Sequence, residues 1–276
     1  MLVSTPIGNL GDVSTRARKT LADSDLILCE DTRHTARLLT ALGVSVRTEP
    51  LHEHNEDARI GPVLGLLRAG KRVALVSDAG TPLLSDPGYR LVRAALAEGL
   101  PVGAVPGPSA GLTALVLSGL PPVPFLMLGF PPPRQAARRA AFGRLRAAER
   151  AGLAATLIWH EAPHRLNETL SDMADAFGPR RAAVARELTK RFEEVRRGTL
   201  PELAAHFTAS PARGEITVVV GQPEQADPED LDGQLRAALA SHSVKDAAAL
   251  VAAATGLPRK TVYARALALA QAASKP

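Results

Sequence analysis

The sequence predicts an α/β protein of two domains with a small helical appendage at its C-terminal end, and three observations carry that prediction. Short apolar runs alternate with helix-length amphipathic segments over residues 1–118. A second series of the same kind follows the proline cluster PPVPFLMLGFPPP at 121–133. An alanine-rich stretch with helical periodicity then closes the chain behind an acidic segment, QPEQADPEDLD at 222–232.

In the first domain, residues 1–119, strand composition falls at Leu2–Thr5, Leu26–Cys29, Val46–Leu51, Arg72–Val76 and Pro101–Val105. Between them, segments such as Val13–Ala22, Arg33–Leu42 and Tyr89–Glu98 space apolar residues three or four apart, as a helix requires. Strands that alternate with helices make a mainly parallel sheet. The proline cluster leaves the next connection little freedom and marks the domain boundary near Gly119. In the second domain, 120–223, a short apolar strand within the cluster is followed by a helix at Arg134–Ala151 and a strand at Ala155–Trp159. A helix at His164–Phe177, a strand at Arg181–Glu187, a helix at Pro201–Phe207 and a strand at Glu215–Val220 complete it. Residues 224–276 hold the rest of the linker and the appendage, with helices at Val244–Ala254 and Arg259–Ala272 joined by Gly256-Leu257-Pro258. That pair reads either as a helix-turn-helix or as a capping hairpin, the commoner use of such a unit.

Composition narrows the function. With 276 residues, 46% hydrophobic and 22% charged, the chain has ample material for packed cores and too much apolar matter for bulk disorder. Cys29 is the only cysteine, which excludes an intramolecular disulfide and a thiolate metal cluster and suits a reducing cytoplasm. No signal peptide is expected from the first residues, where Pro6 and Gly8 interrupt the apolar run. The longest weakly charged stretch, 99–133, is broken by prolines and glycines, so no membrane span is expected. The net charge of +5 falls after Gly233, where Arg236, Lys245, Arg259, Lys260, Arg265 and Lys275 face only Asp246. A second basic run, Arg134 to Arg150, follows the proline cluster. Both are candidate polyanion surfaces, and both could equally be solvated helix faces.

Open parallel sheets bind ligands beyond the carboxyl ends of their strands. There the chain places Thr5–Asp12, Glu30–Arg33, Ser77–Gly88 and Pro106–Gly111, all rich in small, polar and turn-forming residues. One such loop is only a turn; four together imply a ligand with several polar ends, held in part by backbone amides. No GxGxxG and no phosphate loop ending in Gly-Lys-Ser/Thr occurs, which disfavours ordinary nucleotide cofactors. His52, Glu53, His54 and Glu56, or His160, Glu161 and His164, lack metal-ligand spacing, so no metal is expected. No Gly-x-Ser-x-Gly elbow is present, and Cys29 sits in an apolar strand, so nucleophilic hydrolysis has no support.

The strings STPIGNLGD (Ser4–Asp12), CEDTR (Cys29–Arg33), LHEHNE (Leu51–Glu56), SDAGTPLLSDPG (Ser77–Gly88), VPGPSA (Val105–Ala110), EAPHRL (Glu161–Leu166) and RELTKRFEEVRRG (Arg186–Gly198) resemble the tetrapyrrole methylase superfamily. Within it, they are similar to the branch that methylates small-subunit ribosomal RNA. The likeness runs from Val3 to about Val220, and the C-terminal SVKDAAALVAAATGLPRKTVYARAL also resembles that branch. It implies two α/β domains of tetrapyrrole-methylase type with S-adenosylmethionine in the cleft between them, no metal, and a homodimer. The implied reaction moves a methyl group to the ribose 2′-hydroxyl of a cytidine in the decoding region of small-subunit ribosomal RNA, leaving S-adenosylhomocysteine. The partner would be that RNA or the assembled subunit.

Carried over by motif, the donor site would include Pro6, Gly8, Gly80, Thr81, Pro82, Leu84, Ser109, Ala110, His160 and Glu161. Tetrapyrrole-binding members commonly have Gly-Asp-Pro where this chain has Gly80-Thr81-Pro82, which argues against a tetrapyrrole acceptor. A 2′-hydroxyl is a weak acid, so a base or a nearby cation is sought among cleft residues. Glu30, Asp31, Glu161, His164, Glu187 and Lys190 are the candidates, with Glu161, His164 and Lys190 preferred because their strings accompany the second half of the cleft. Nine aromatics are too few for a multi-base stacking platform, so RNA recognition should be electrostatic. Arg33, Arg134, Arg138, Arg139, Arg165, Arg191, Arg259 and Lys260 are the expected phosphate contacts. The rival readings are a tetrapyrrole or protein acceptor for the same donor, and a non-catalytic ribosome-assembly factor.

Overall fold

The computed structural model describes residues 1–223 and 228–273. The first half runs β1 (Leu2–Val3), α1 (Thr15–Ala22), β2 (Leu26–Cys29), α2 (Thr32–Leu42), β3 (Thr48–Pro50), α3 (Glu56–Arg68), β4 (Val73–Leu75), α4 (Tyr89–Ala97), β5 (Ala104–Val105) and α5 (Ala110–Ser118). Its strands form an all-parallel sheet in the order β3-β2-β4-β1-β5. A parallel sheet is buried on both faces, and strand alternation sorts the side chains between them. Ile27 and Cys29 of β2 join a core with Ala17, Leu21 and Leu39 from α1 and α2. Leu26 and Leu28 join the opposite core with Val63 and Leu91 from α3 and α4.

The second half runs β6 (Phe125–Met127), α6 (Gln135–Arg150), β7 (Thr156–Glu161), α7 (Leu166–Phe177), β8 (Arg181–Arg186), β9 (Glu194–Thr199), α8 (Leu200–Ala209) and β10 (Ile216–Val220). Its sheet, β6-β7-β10-β8-β9, is parallel only at the β6–β7 pair and antiparallel elsewhere. On one face Leu157, Trp159, Val184 and Val218 pack with Phe142 of α6 and Leu170, Met173 and Phe177 of α7. The other face, through Ile158, Ala185 and Val219, is covered by Ala114 and Leu115 of α5 and by Ile7. The helix that ends the first half thus roofs the second sheet. Gly111 permits that approach, because a Cβ there would overlap the Met127 side chain.

Two elements differ from the sequence reading. Strand β9 was not expected: its sequence EVRRGT has no apolar run, and it is an edge strand that leaves Arg196 and Arg197 exposed. The acidic linker expected at 222–232 gives way at Pro228 to a helix, α9 (Pro228–Leu239); residues 224–227 of that linker lie outside the described residues. Leu231 and Leu235, one helical turn apart, are buried against α10 (Val244–Thr255) and α11 (Arg259–Ala273), and this apolar pair outweighs the proline and acidic composition. Asp232 binds the Arg265 guanidinium through both carboxylate oxygens at 2.6 Å, tying α9 to α11. Gly256, at φ +72°, ends α10 and makes the turn between the two helices.

Candidate active site

The loops that leave the parallel sheet are tied to one another by backbone. Thr5 and Gly80 exchange two backbone hydrogen bonds, Thr5 N–H to Gly80 O at 2.8 Å and Gly80 N–H to Thr5 O at 3.2 Å. The Thr5 hydroxyl donates to Ser77 O, and the Thr81 hydroxyl donates to Pro108 O at 3.3 Å while accepting from Ser4. Three loops that are distant in sequence are thereby fixed as one surface. Gly80 adopts φ +85°, which a β-branched residue would strain. Farther along the same loop, Leu83 and Ser85 also hold positive φ, at +73° and +71°, at a cost of order 1–3 kcal/mol each. The surroundings enforce this: a Cβ on Gly88 would sit 2.5 Å from Leu75 Cδ2 and 2.8 Å from Leu83 Cδ2. Glu56, the last residue of LHEHNE, is buried and accepts the N–H groups of Arg90 and Leu91, capping α4 directly behind the loop.

The facing wall comes from strand ends of the second sheet. In the antiparallel register Glu161 opposes Ile216 and His160 opposes Thr217. His160 N–H donates to Gly129 O, its Nδ1 lies 3.3 Å from the Thr217 hydroxyl, and its ring lies 5.7 Å from that of Phe130. The Glu161 carboxylate is fully occupied. Its Oε2 accepts from the Thr169 hydroxyl at 2.5 Å and from Arg165, and its Oε1 accepts the Ala162 N–H at 2.8 Å.

Between the walls lies a cavity of about 340 Å³. Gly80, Thr81, Leu84, Ser109, Ala110, His160 and Glu161, seven of the residues named from the sequence, line it. Pro6, Gly8 and Pro82 do not. Pro82 is buried behind the surface, while Gly8 fits against the second half, where a Cβ would sit 2.5 Å from Lys190 Cγ. His164 is exposed and also outside the lining, whereas Lys190 reaches a lining residue, donating to Glu215 Oε2 at 3.1 Å and to Glu187 Oε1 at 2.9 Å. Asp86, Ser85, Met127, Phe130 and Glu215 line the cavity but were not singled out from the sequence. Among the described residues, no lysine or arginine lines it.

The titratable groups differ in what surrounds them. Burial, with repulsion from Glu30 and Asp78, pushes the Asp86 carboxyl up to about 6, against the pull of the Ser77 hydroxyl. Burial lowers the His160 imidazole, favouring its neutral form at pH 7. At Lys190 burial opposes the charge, but Glu187 and Glu215 outweigh it and hold the ammonium above its ordinary value. Glu187 is correspondingly held down by Lys190. Among the described residues, no group of three metal-ligating side chains occurs.

Two of the expected phosphate contacts are corrected by the structure. Arg138 is completely buried, with Asp172 Oδ2 at 2.7 Å from its guanidinium. Arg165 turns inward, donating to Pro131 O at 2.7 Å and reaching Glu161. Asp172 and Pro131 lie 34 residues from Arg138 and Arg165, respectively, so the local arginine pattern could not reveal them. Arg33, Arg134, Arg139, Arg191, Arg259 and Lys260 are exposed, although Arg33 pairs with Asp31 and Arg139 with Asp172 and Asp175.

With this geometry established, comparison with known proteins adds three findings. The family model described as Tetrapyrrole (Corrin/Porphyrin) Methylases matches residues 1–204, and the one described as RsmI C-terminal HTH domain matches residues 225–270. The second match favours helix-turn-helix over capping hairpin for α10 and α11. Proteins named ribosomal RNA small subunit methyltransferase I are similar over nearly the whole chain. The one from Micromonospora olivasterospora is 48% identical, covering 95% of this chain and 84% of the relative; the one from Mesorhizobium japonicum is 47% identical, covering 97% and 91%. Among solved structures, the uroporphyrin-III-C-methyltransferase of Thermus thermophilus superposes with a TM-score of 0.52 at 23% identity, over 79% of this chain and 92% of that one. Diphthine synthase superposes at 0.60 and 14%, over 79% and 89%. At such identities these two speak for the fold alone.

Proposed function

This chain belongs to the tetrapyrrole methylase family, and from that premise we propose that it is a ribosomal RNA methyltransferase that moves a methyl group from S-adenosylmethionine to small-subunit RNA. We further propose that the acceptor is the ribose 2′-hydroxyl of a cytidine in the decoding region, presented by that RNA or the assembled subunit in the cytoplasm to a homodimer of this chain. The observation that carries the reading is the cavity lined from both sheets. Its volume falls in the range of about 300–1,000 Å³ usual for small-molecule sites.

The residues present fit the donor. Ile7, Leu84, Ala110, Met127, Leu188 and Ile216 offer apolar walls, while the Gly80 and Thr81 backbone and the Ser109 hydroxyl offer polar contacts. The charged side chains of the lining are acidic, Asp86, Glu161 and Glu215, which favours a cationic ligand. When bound, S-adenosylmethionine supplies an electrophilic methyl on a sulfonium and leaves as S-adenosylhomocysteine. The chain's task is therefore to orient the acceptor oxygen and exclude water. We assign Gly80, Thr81, Leu84, Ser109, Ala110, His160 and Glu161 to the donor, with Pro6, Gly8 and Pro82 shaping the loops around them. Glu161, already hydrogen-bonded at both oxygens, acts by holding the 161–163 turn against α7. Lys190 remains protonated and contributes a fixed cation at the cavity's edge, and His164 faces the approaching RNA. Arg33, Arg134, Arg139, Arg191, Arg259 and Lys260 meet phosphates.

The test is to incubate the full chain with labelled donor and unmodified small subunits, or the naked RNA, and to hydrolyse the RNA in alkali. Methylated ribose cannot attack its own phosphodiester, so label in an alkali-stable dinucleotide supports the reading. Label in a base or in protein overturns the proposed acceptor. Failure to bind the donor, with tight binding to the subunit retained, would instead support an assembly factor.

A further inference from the structure

We infer that Asp86 is the general base of the reaction, taking the proton of the acceptor hydroxyl, an assignment that rests on the ribose-methylation reading above. Asp86 lines the cavity, and it does so from a loop whose neighbours Leu83 and Ser85 are both held at positive φ, with Gly88 packed closely against Leu83 and Leu75. Such strain persists only where the surroundings over-determine it, and here it fixes an acid at the cavity wall.

The other titratable lining groups have different tasks. Glu161 has both oxygens engaged by Thr169, Arg165 and the Ala162 N–H, so its carboxylate is tied to its own strand end and turn. Glu215 is paired with Lys190. His160 sets its Nδ1 toward the Thr217 hydroxyl, beside the Phe130 ring. Among the described residues, no lysine or arginine pairs with Asp86. The charged groups nearest it on its own half are the acids Glu30 and Asp78, and those facing it across the cavity are Glu161 and Glu215, with neutral His160 between. Burial, with repulsion from Glu30 and Asp78, pushes the Asp86 carboxyl up to about 6 against the pull of the Ser77 hydroxyl. It is ionised at neutral pH yet has a greater proton affinity than an ordinary carboxylate, as a general base needs.

The step balances. As the bond from the 2′ oxygen to carbon forms, the bond from carbon to sulfur breaks with its electron pair remaining on sulfur, and the hydroxyl proton passes to the Asp86 carboxylate. Solvent then recovers that proton, since Asp86 titrates below neutrality.

The experiment compares the full chain with Asp86→Asn in single-turnover methylation of small subunits from about pH 5 to about pH 8.5, a span that brackets the value near 6. Alongside it, S-adenosylhomocysteine affinity is measured by calorimetry and the thermal midpoint by scanning. The wild-type rate should rise through a limb near 6 and level off. Asp86→Asn should lose about 10²–10⁴-fold in rate and lose that limb. Its S-adenosylhomocysteine affinity and its thermal midpoint should not fall. An unchanged rate or an unchanged limb in Asp86→Asn, with label still in the ribose, overturns the assignment alone. Loss of both ligand affinity and stability marks Asp86 as a support of the loop and also overturns it. Label found in a base or protein removes the acceptor reading on which the assignment rests.

Discussion

Asp86 and Glu161 line the same cavity from opposite walls, and their surroundings give the same functional group different partners. On the second sheet the hydroxyl of Thr169, the Ala162 N–H and Arg165 all point at Glu161, so its carboxylate is held in place before any ligand arrives. On the first half the neighbours of Asp86 are acids, and its charge is held at a cost. The walls differ in the same sense as wholes. The first is made of backbone bridges, small side chains and positive-φ turns, and the second of paired strand ends with their side chains tied down. One wall offers small residues for close approach, the other hydrogen-bonded strand ends. A carboxyl tied down by hydrogen bonds and one left without a cationic partner can divide anchoring from proton transfer within one site.

The sharpest way to break this contrast is to add bulk to the first wall. In Gly80→Val the new Cβ would lie 3.4 Å from Ile7 Cγ2, an ordinary contact, so the damage comes from φ +85°. Donor affinity should fall by about 10–100-fold, the equivalent of the strain. Calorimetry with S-adenosylhomocysteine measures this, while circular dichroism should still report a folded chain. Thr169→Val probes the second wall by removing the shortest donor to Glu161, and it should cost about 1–3 kcal/mol in denaturant unfolding. If the second wall tolerated that loss without cost, its rigidity could not come from these bonds.

Asp86→Asn should act in the opposite direction on stability. The folded state raises this carboxyl from an ordinary 3.8 to about 6, so between those values it binds more protons than the unfolded chain does. Relative to an unperturbed carboxyl, the group costs nothing below about pH 4, and its penalty grows as pH rises toward 6 and is complete above that. Discounted for partial solvent exposure, removing it should stabilise the chain by about 1–2 kcal/mol at about pH 8 and not at all at about pH 4. A destabilised Asp86→Asn at both pH values would erase the contrast between the walls. The smallest effect expected is on RNA: Arg259→Ala and Lys260→Ala should each reduce the salt slope of subunit binding by about one and leave donor affinity unchanged.

Much of the first wall was legible in the sequence because its chemistry is local. Gly, Pro, Ser and Thr cluster after successive strands, and a parallel sheet brings those ends together. Asp86 stood within the string SDAGTPLLSDPG yet could not be distinguished, since what sets it apart is burial and repulsion from Glu30, in the loop after β2. Arg138 and Arg165 misled for the same reason: an arginine on a basic helix, or in the turn before α7, looks solvated until Asp172 or the Pro131 carbonyl is placed beside it. Strand β9 was missed because an edge strand needs no apolar run, and α9 because Leu231 and Leu235 were outweighed in the reading by proline and acid around them.

The account depends on both walls closing on one ligand. Amide hydrogen exchange with and without S-adenosylhomocysteine tests this most directly. Protection should appear together in residues 77–88 and 107–111 of the first half and in 160–163 and 214–217 of the second, with a common dependence on ligand concentration. Protection confined to one half, or absent from both, would contradict it.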